Sequence, residues 1–332
     1  MAKTVRFHEI GGPEVLRLED VEPGEPGPGE VRIRVEAIGL NRAEALFRSG
    51  RYIVPVERFP AGLGNEAAGV IEAVGPGVAD FEKGQAVSVI PNFSHNDYGV
   101  YAEQAIVPVT SLLHRPDEVD AVSGAAVWMP YLTAYGAMVE VGGMRAGDTA
   151  VITAASSSVG LAAVHTANRL GATPIAVTRT RAKRRQLIDE GAAEVIVSDE
   201  EDVAKRVLEL TGGKGAEYVF DAVAGPGVAE LARAVADDGT LFLWGMQSGL
   251  PTPFPGFDLG MPALNMRTYT VLEIVRDAQR LRRAVAFIGS GLRSGALRPV
   301  VDRLFPLEQI VEAHRHMESN AQFGKIVVTA GR

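Results

Sequence analysis

Val151-Ile152-Thr153-Ala154-Ala155-Ser156-Ser157-Ser158-Val159-Gly160 reads as a strand, a tight turn of small residues and the start of a helix. A second apolar strand follows at 174–178 and runs into Arg179-Thr180-Arg181-Ala182-Lys183-Arg184-Arg185. Small side chains in a βα turn let an anion approach the backbone. The helix behind the turn adds free N–H groups and the positive end of its dipole. A strand, turn, helix and strand in this order are the start of a parallel sheet with helices on its faces.

The turn alone is ambiguous. Against the dinucleotide fingerprint G-x-G-x-x-G, residues 155–160 keep only Gly160, and an ordinary βα turn fits equally well. A nucleophile elbow does not fit, because Ser157 lacks the flanking glycines of that turn. The cations add a second signal. Residues 181–190 have a helical pattern stopped by Gly191, and five Lys/Arg fall within 179–185. Cations in a first helical turn oppose the macrodipole unless an anion meets them. An NAD site carries Asp or Glu at the end of the second strand; here Thr178 and Arg179 stand there. Together these features predict a dinucleotide site that takes a 2′-phosphate, and so NADPH. A solvated charge run is the alternative.

With 332 residues, 46% of them hydrophobic, the chain can bury a large core and is expected to form two domains. A net charge of −8 argues against nucleic-acid or anionic-membrane partners. There are no cysteines, which excludes disulfides and thiolate metal sites. The opening Met1-Ala2-Lys3-Thr4-Val5-Arg6-Phe7 is a charged strand pattern rather than a signal peptide, and no apolar run reaches the length of a membrane span. The expected location is the cytoplasm.

Residues 1–120 read as β-rich, with strands at 30–38, 67–74 and 85–90 separated by Gly/Pro turns and one short helix at 42–48. From Val122 the texture changes. A helix over 123–141 leads into strands at 150–154, 174–178, 194–197, 218–222 and 240–244, alternating with helices at 159–170, 182–190, 203–210 and 228–236. That alternation predicts a parallel sheet covered on both faces. A strand near 267–272, a long helix near 275–290 and a strand–helix–strand ending at 325–329 complete the chain.

Several short motifs follow one another in a fixed order along the chain: Gly39-Leu40-Asn41-Arg42-Ala43-Glu44, Gly50-Arg51-Tyr52, Gly64-Asn65-Glu66-Ala67-Ala68-Gly69, Gly99-Val100-Tyr101-Ala102-Glu103, Thr133-Ala134-Tyr135 and Phe323-Gly324-Lys325-Ile326-Val327. With the Ala-Ser-Ser-Ser-Val-Gly turn, they make the whole chain resemble the medium-chain dehydrogenase/reductase superfamily, in its zinc-independent NADPH:quinone oxidoreductase-like branch. The resemblance implies an α/β protein in two parts. A GroES-like, β-rich catalytic domain would comprise 1–122 and 266–332, and a Rossmann doubly wound dinucleotide-binding domain, 123–265, would lie between them. It also implies a homodimer joined edge to edge through the strand near 267–272, an unpaired apolar edge of the kind that invites pairing.

Zinc-dependent relatives hold their catalytic metal through a cysteine where this chain has Asn41, a histidine where it has Asn65 and a cysteine near 125–129; they also carry a four-cysteine structural loop. Only the accompanying Glu66 is retained. Neutral Asn is a poor zinc ligand. His314 and His316 stand two apart on an expected helix and so point apart, and His8, His95, His114 and His165 are isolated. No metal is expected.

Without a metal, simple alcohol oxidation loses its electrophile. Hydride transfer from NADPH to a small molecule that is already electrophilic remains, namely a quinone or an α,β-unsaturated carbonyl. A zinc-independent carbonyl or alcohol oxidoreductase is one alternative, and a nucleotide-binding structural or regulatory protein without turnover is another. By resemblance, Tyr52 aligns with the proton donor of enoyl reductases, or else stacks near the nicotinamide and excludes water. Asn41 matches an asparagine beside the nicotinamide ribose, and equally suits a helix N-cap. Thr133 matches a threonine near the nicotinamide, and equally suits back-bonding within a helix. Glu44 stands where aspartate is more usual. Ser157, Ser158 and Val159 would meet the pyrophosphate. Lys183 falls on the family's phosphate-binding lysine, next to Thr178, Arg179 and Arg181. Ser198 replaces a tyrosine found against the adenosine phosphate in several relatives. Gly245 and Met246 would line the nicotinamide side, and residues 91–98 the acceptor pocket.

Overall fold

A computed structural model describes residues 1–331. The chain divides into two compact units, one of Met1–Met129 with the chain from Pro299 onward, the other of Pro130–Arg298. No helix among the described residues is long and apolar enough to cross a membrane.

The first unit is built on a seven-stranded sheet. Strand Glu30–Gly39 alternates, with Val31, Ile33, Val35 and Ala37 buried and Arg34 exposed between them, so one face makes the core. It pairs antiparallel with Ala67–Val74 on one side. On the other side the C-terminal strand Lys325–Thr329 pairs Val327 with Gly39 and Thr329 with Ala37. Residues from both ends of the chain therefore complete one sheet, as the GroES-like expectation requires.

The second unit carries a six-stranded sheet in the order Glu194–Val197, Thr173–Thr178, Thr149–Ile152, Ala216–Asp221, Val235–Leu243, Asn265–Thr268. Every pairing in it is parallel. The chain starts at Thr149–Ile152 in the middle, winds one way, then returns and winds the other, as in a doubly wound sheet.

Four expectations need correcting. Residues 266–298 lie with the second unit, not with the catalytic one. Strand Asn265–Thr268, rather than 267–272, pairs with Val235–Leu243 and closes the sheet. The helix Ala278–Ser294 buries Ala284, Ile288 and Gly291 in the same unit. The helix expected over 123–141 is broken into Ala121–Gly124, Trp128–Tyr135 and a π-helical stretch Gly136–Val141. The Tyr269 hydroxyl donates to the carbonyl of Leu132 at 3.3 Å, the acceptor that Gly136 N–H would use in a regular α-helix, and a Cβ on Gly136 would lie 2.0 Å from that hydroxyl. A side chain entering the hydrogen-bond ladder widens the turn. The helix expected at 182–190 is a 3-10 turn, Arg181–Lys183, followed by Arg184–Asp189, in keeping with the unfavourable crowd of cations at its start.

Candidate functional site

In the second unit the sheet order reverses at Thr149–Ile152, and the crevice at the carboxyl ends of such strands is where open α/β sheets bind ligands. The turn 153–157 lies there. Ser157 is the N-cap of helix Ser158–Leu170, and its hydroxyl accepts from Gly160 N–H at 3.1 Å. That hydroxyl is occupied with capping, whereas the first-turn N–H groups of Ser158 and Val159 have no helical carbonyl behind them. Gly160 is a steric necessity: a Cβ there would lie 2.6 Å from the Ala154 carbonyl oxygen and from Ala155 Cα. The turn thus keeps the one fingerprint glycine that brings helix and strand together.

The cations after strand Thr173–Thr178 are not equivalent. Arg181 Nε donates to Glu200 at 2.5 Å, and Arg185 pairs with Asp189. Lys183 reaches back to the turn and donates to Ser156 Oγ at 3.2 Å. Arg179 is exposed, and its guanidinium meets no acidic or hydrogen-bonding partner among the described residues. Thr178 is buried at the strand end, and its carbonyl accepts from the N–H of the exposed Ser198 at 2.9 Å. Gly245 is held where a Cβ would fall 2.4 Å from the Ala222 carbonyl oxygen; Met246 beside it is 44% exposed. Thr133 is buried in helix Trp128–Tyr135.

The first unit holds a buried polar cluster. Asn41 is the N-cap of helix Arg42–Arg48 in a capping box: Glu44 Oε2 accepts from Asn41 N–H at 2.7 Å. Lys325 Nζ donates to Asn41 Oδ1 at 2.6 Å and to Glu66 Oε2 at 2.5 Å. Glu66 also accepts from the Met129 N–H at 2.7 Å, and Asn41 Nδ2 donates to the Gly39 carbonyl at 3.1 Å. Glu44, Glu66 and Lys325 are all but completely buried. Gly39 makes room for them, since a Cβ there would lie 1.9 Å from the Ala125 carbonyl and 2.9 Å from Glu66 Oε2. Lys325 fixes which way the Asn41 amide faces. Burial pushes the Glu44 carboxyl up to about 7, against the pull of the Lys325 charge.

Tyr52 is half-buried, with its ring edge-on to Phe47 and His95. Burial, and secondarily the charge of Glu44, push its hydroxyl above the usual tyrosine range, so it keeps its proton at neutral pH. His95 stacks on Phe47 with ring centroids 5.1 Å apart, and burial brings its imidazole down to about 4, so it is neutral. Asn96 ties the loop 91–98 to the segment after Tyr52, accepting from Glu57 N–H at 3.1 Å and donating to the Pro55 carbonyl at 2.9 Å.

The structure therefore brings Asn41 together with Glu44, Glu66 and Lys325, and Ser157, Ser158 and Val159 together at one helix start with Lys183 over the turn. Neither Lys325, which lies in the motif Phe323-Gly324-Lys325-Ile326-Val327, nor Ser156 has a role that the sequence alone indicates, and the sequence places His95 only within the 91–98 pocket segment. Lys325 and Asn41 are 284 positions apart, and nothing local in either stretch announces the pairing. Among the described residues no group of three or more His, Cys, Asp or Glu could hold a metal ion.

Known proteins resemble this chain over its whole length. Residues 27–117 match the family described as "Alcohol dehydrogenase GroES-like domain", and 190–328 match "Zinc-binding dehydrogenase". A quinone oxidoreductase of Pseudomonas aeruginosa is 35% identical over 332 residues, covering 99% of both chains. A 2-haloacrylate reductase of a Burkholderia species is 30% identical, again covering 99% of each. The crystal structure of Escherichia coli quinone oxidoreductase complexed with NADPH superposes with a TM-score of 0.92 at 27% identity, covering 98% of this chain and 99% of that one.

Proposed function

The chain belongs to the medium-chain dehydrogenase/reductase superfamily, in its quinone oxidoreductase-like branch, and on that premise we propose that it is an NADPH-dependent reductase of quinones and α,β-unsaturated carbonyl compounds. The observation that carries this reading is the pair of cations after the second strand. Arg179 is exposed without a counter-ion where an NAD site has an acidic residue, and Lys183 is drawn onto the turn that takes the pyrophosphate.

The residues present fit the cofactor. Ser158 and Val159 N–H groups hold the pyrophosphate, and Arg179 with Lys183 holds the 2′-phosphate by charge-assisted bonds. Arg181, engaged with Glu200, and the exposed Ser198 stand at the margin of that site. NADPH supplies the hydride when bound. Asn41, its amide fixed by Lys325, and Thr133 orient the nicotinamide end, and Gly245 with Met246 lines it. Tyr52 holds a proton on a hydroxyl that bonds to no described residue and gives it to the α-carbon of the enolate left when hydride adds to the β-carbon of an enone; the tyrosine is then reprotonated from water. A quinone needs no such donor, because its reduced oxygens take protons from water. The donor set argues for metal-free chemistry: two asparagine amides, and a Glu66 already bound to Lys325, make no zinc site.

The same reading makes the protein a homodimer in the cytoplasm. Strand Asn265–Thr268 is the last in its sheet, and the segment before it exposes Phe254 at 80% and Phe257 at 89%, an apolar surface beside an unpaired edge.

The deciding experiment follows NADPH and NADH oxidation over a panel of quinones, enones, enoyl thioesters and aldehydes. Turnover of quinones or enones with a strong preference for NADPH is expected. Activity confined to aldehydes would make it a carbonyl reductase, and tight NADPH binding without turnover would leave a nucleotide-binding protein.

A further inference from the structure

One buried acid has no part in the chemistry so far. Asp221 ends strand Ala216–Asp221, is 0% exposed, and has no cation within ion-pair distance among the described residues. Its carboxyl oxygens accept from Thr153 Oγ1 at 2.5 Å, Val223 N–H at 3.1 Å and Ala224 N–H at 2.7 Å. Thr153 Oγ1 in turn accepts from Ala222 N–H at 3.0 Å. These bonds join two neighbouring turns at the carboxyl edge of one sheet, 153–157 and 222–225.

Each of those turns contains a non-glycine residue with positive φ: Ala154 at 45° and Ala224 at 58°. An L-residue stays in such a conformation only where its surroundings over-determine it. Asp221 does this directly for Ala224 by holding its N–H. The lacing continues outward, since Gln247 N–H donates to the Ala222 carbonyl at 3.2 Å and Ser248 N–H to the Val223 carbonyl at 2.9 Å. The loop of Gly245 and Met246 is therefore hung on the turn that Asp221 shapes.

We propose that Thr153 and Asp221 are positioning residues for the nicotinamide half of the cofactor: their shared hydrogen bonds set the turn 222–225, and with it the loop 245–248. The inference rests on the reading of this edge as an NADPH site. Sheet order selects the half. The adenosine end is read after Thr173–Thr178, on one side of the switch point, and Ala216–Asp221 and Val235–Leu243 lie on the other.

Thr153→Val keeps the shape of the side chain and removes the hydroxyl, and Thr153→Ser keeps the hydroxyl. Affinities for NADPH and for adenosine 2′,5′-bisphosphate, which carries only the adenosine half, are measured by fluorescence and calorimetry, with thermal unfolding as the check on folding. Losing the Thr153 hydroxyl, which bonds both Asp221 and the Ala222 N–H, should weaken NADPH binding by about tenfold in Thr153→Val, leave the bisphosphate affinity unchanged, and be reversed in Thr153→Ser. Asp221→Asn, which places an amide donor against donors, should show the same split. Equal weakening for both ligands, or unchanged NADPH affinity, overturns the proposal. Failure of the unmodified protein to bind either ligand overturns the NADPH reading and this inference with it.

Discussion

At the scale of single residues, the cations of 179–185 differ in what they already hold. Arg181 is neutralised by Glu200 and Arg185 by Asp189, whereas Arg179 has no such partner. Replacing Arg179 and Lys183 together with Ala should weaken NADPH by tens-fold or more, since each charge-assisted bond contributes roughly 1.5–3 kcal/mol. Arg181→Ala should cost far less. Equilibrium titration with NADPH and NADH measures both, and equal affinity of the unmodified protein for the two cofactors would sink the 2′-phosphate assignment. Tyr52 gives a second contrast. Its hydroxyl stays protonated because burial and Glu44 disfavour the phenolate, so Tyr52→Phe removes a proton donor and little else. Steady-state rates should fall steeply for enones and hold for quinones; a parallel fall would leave Tyr52 a packing residue.

At the scale of elements, two helix starts carry predictions. A methyl group on Gly160 would overlap the backbone of Ala154 and Ala155 at 2.6 Å, and backbone cannot move aside as a side-chain tip can. Gly160→Ala should cost on the order of 1–3 kcal/mol of stability and displace the Ser158 and Val159 N–H groups. Denaturant midpoints and NADPH titration should both worsen, and a variant unchanged in both would refute the tight turn. In the helix Arg42–Arg48, Glu44 binds its proton more tightly in the folded chain, at about 7 against 4.5. The folded state therefore gains from protonation, a contribution present below about 4.5 and lost as pH rises to about 7. By linkage that loss is on the order of 3 kcal/mol. Glu44→Gln, neutral at every pH and still able to accept from Asn41 N–H, should match the parent near pH 4 and melt higher at pH 8. Parallel melting curves across that range would show that Glu44 does not titrate there.

At the scale of the whole molecule, what was legible in the sequence is what local pattern controls. The strands Ala67–Val74, Glu194–Val197 and Lys325–Thr329 and the helix Val203–Leu210 appear where their own periodicity puts them. So does the dinucleotide turn, whose small residues and following cations are contiguous. The break near 125–127 was not legible, nor the π-helical stretch after Tyr135, because Tyr269 imposes the latter from a distant segment. The membership of residues 266–298 was also hidden. Strand Asn265–Thr268 is short and mostly exposed, so its sheet is decided by a partner strand and not by a buried face. The pairs Lys325–Asn41 and Thr153–Asp221 are contacts across the sequence for the same reason. That exposed edge strand carries the last prediction. Burying a phenylalanine stabilises by about 1.5–3 kcal/mol, so Phe254 and Phe257 from two protomers would contribute roughly 6–12 kcal/mol, comparable with the whole free energy of a micromolar to nanomolar dimer. Both side chains stand clear of the protomer's own core at 80% and 89% exposure, so charging them need not unfold it. Phe254→Glu with Phe257→Glu should leave the thermal unfolding of the isolated protomer nearly unchanged while sedimentation shifts from dimer to monomer. An unmodified protein that sediments as a monomer at micromolar concentration would refute edge-to-edge pairing, and a charged variant that remains dimeric would move the interface elsewhere.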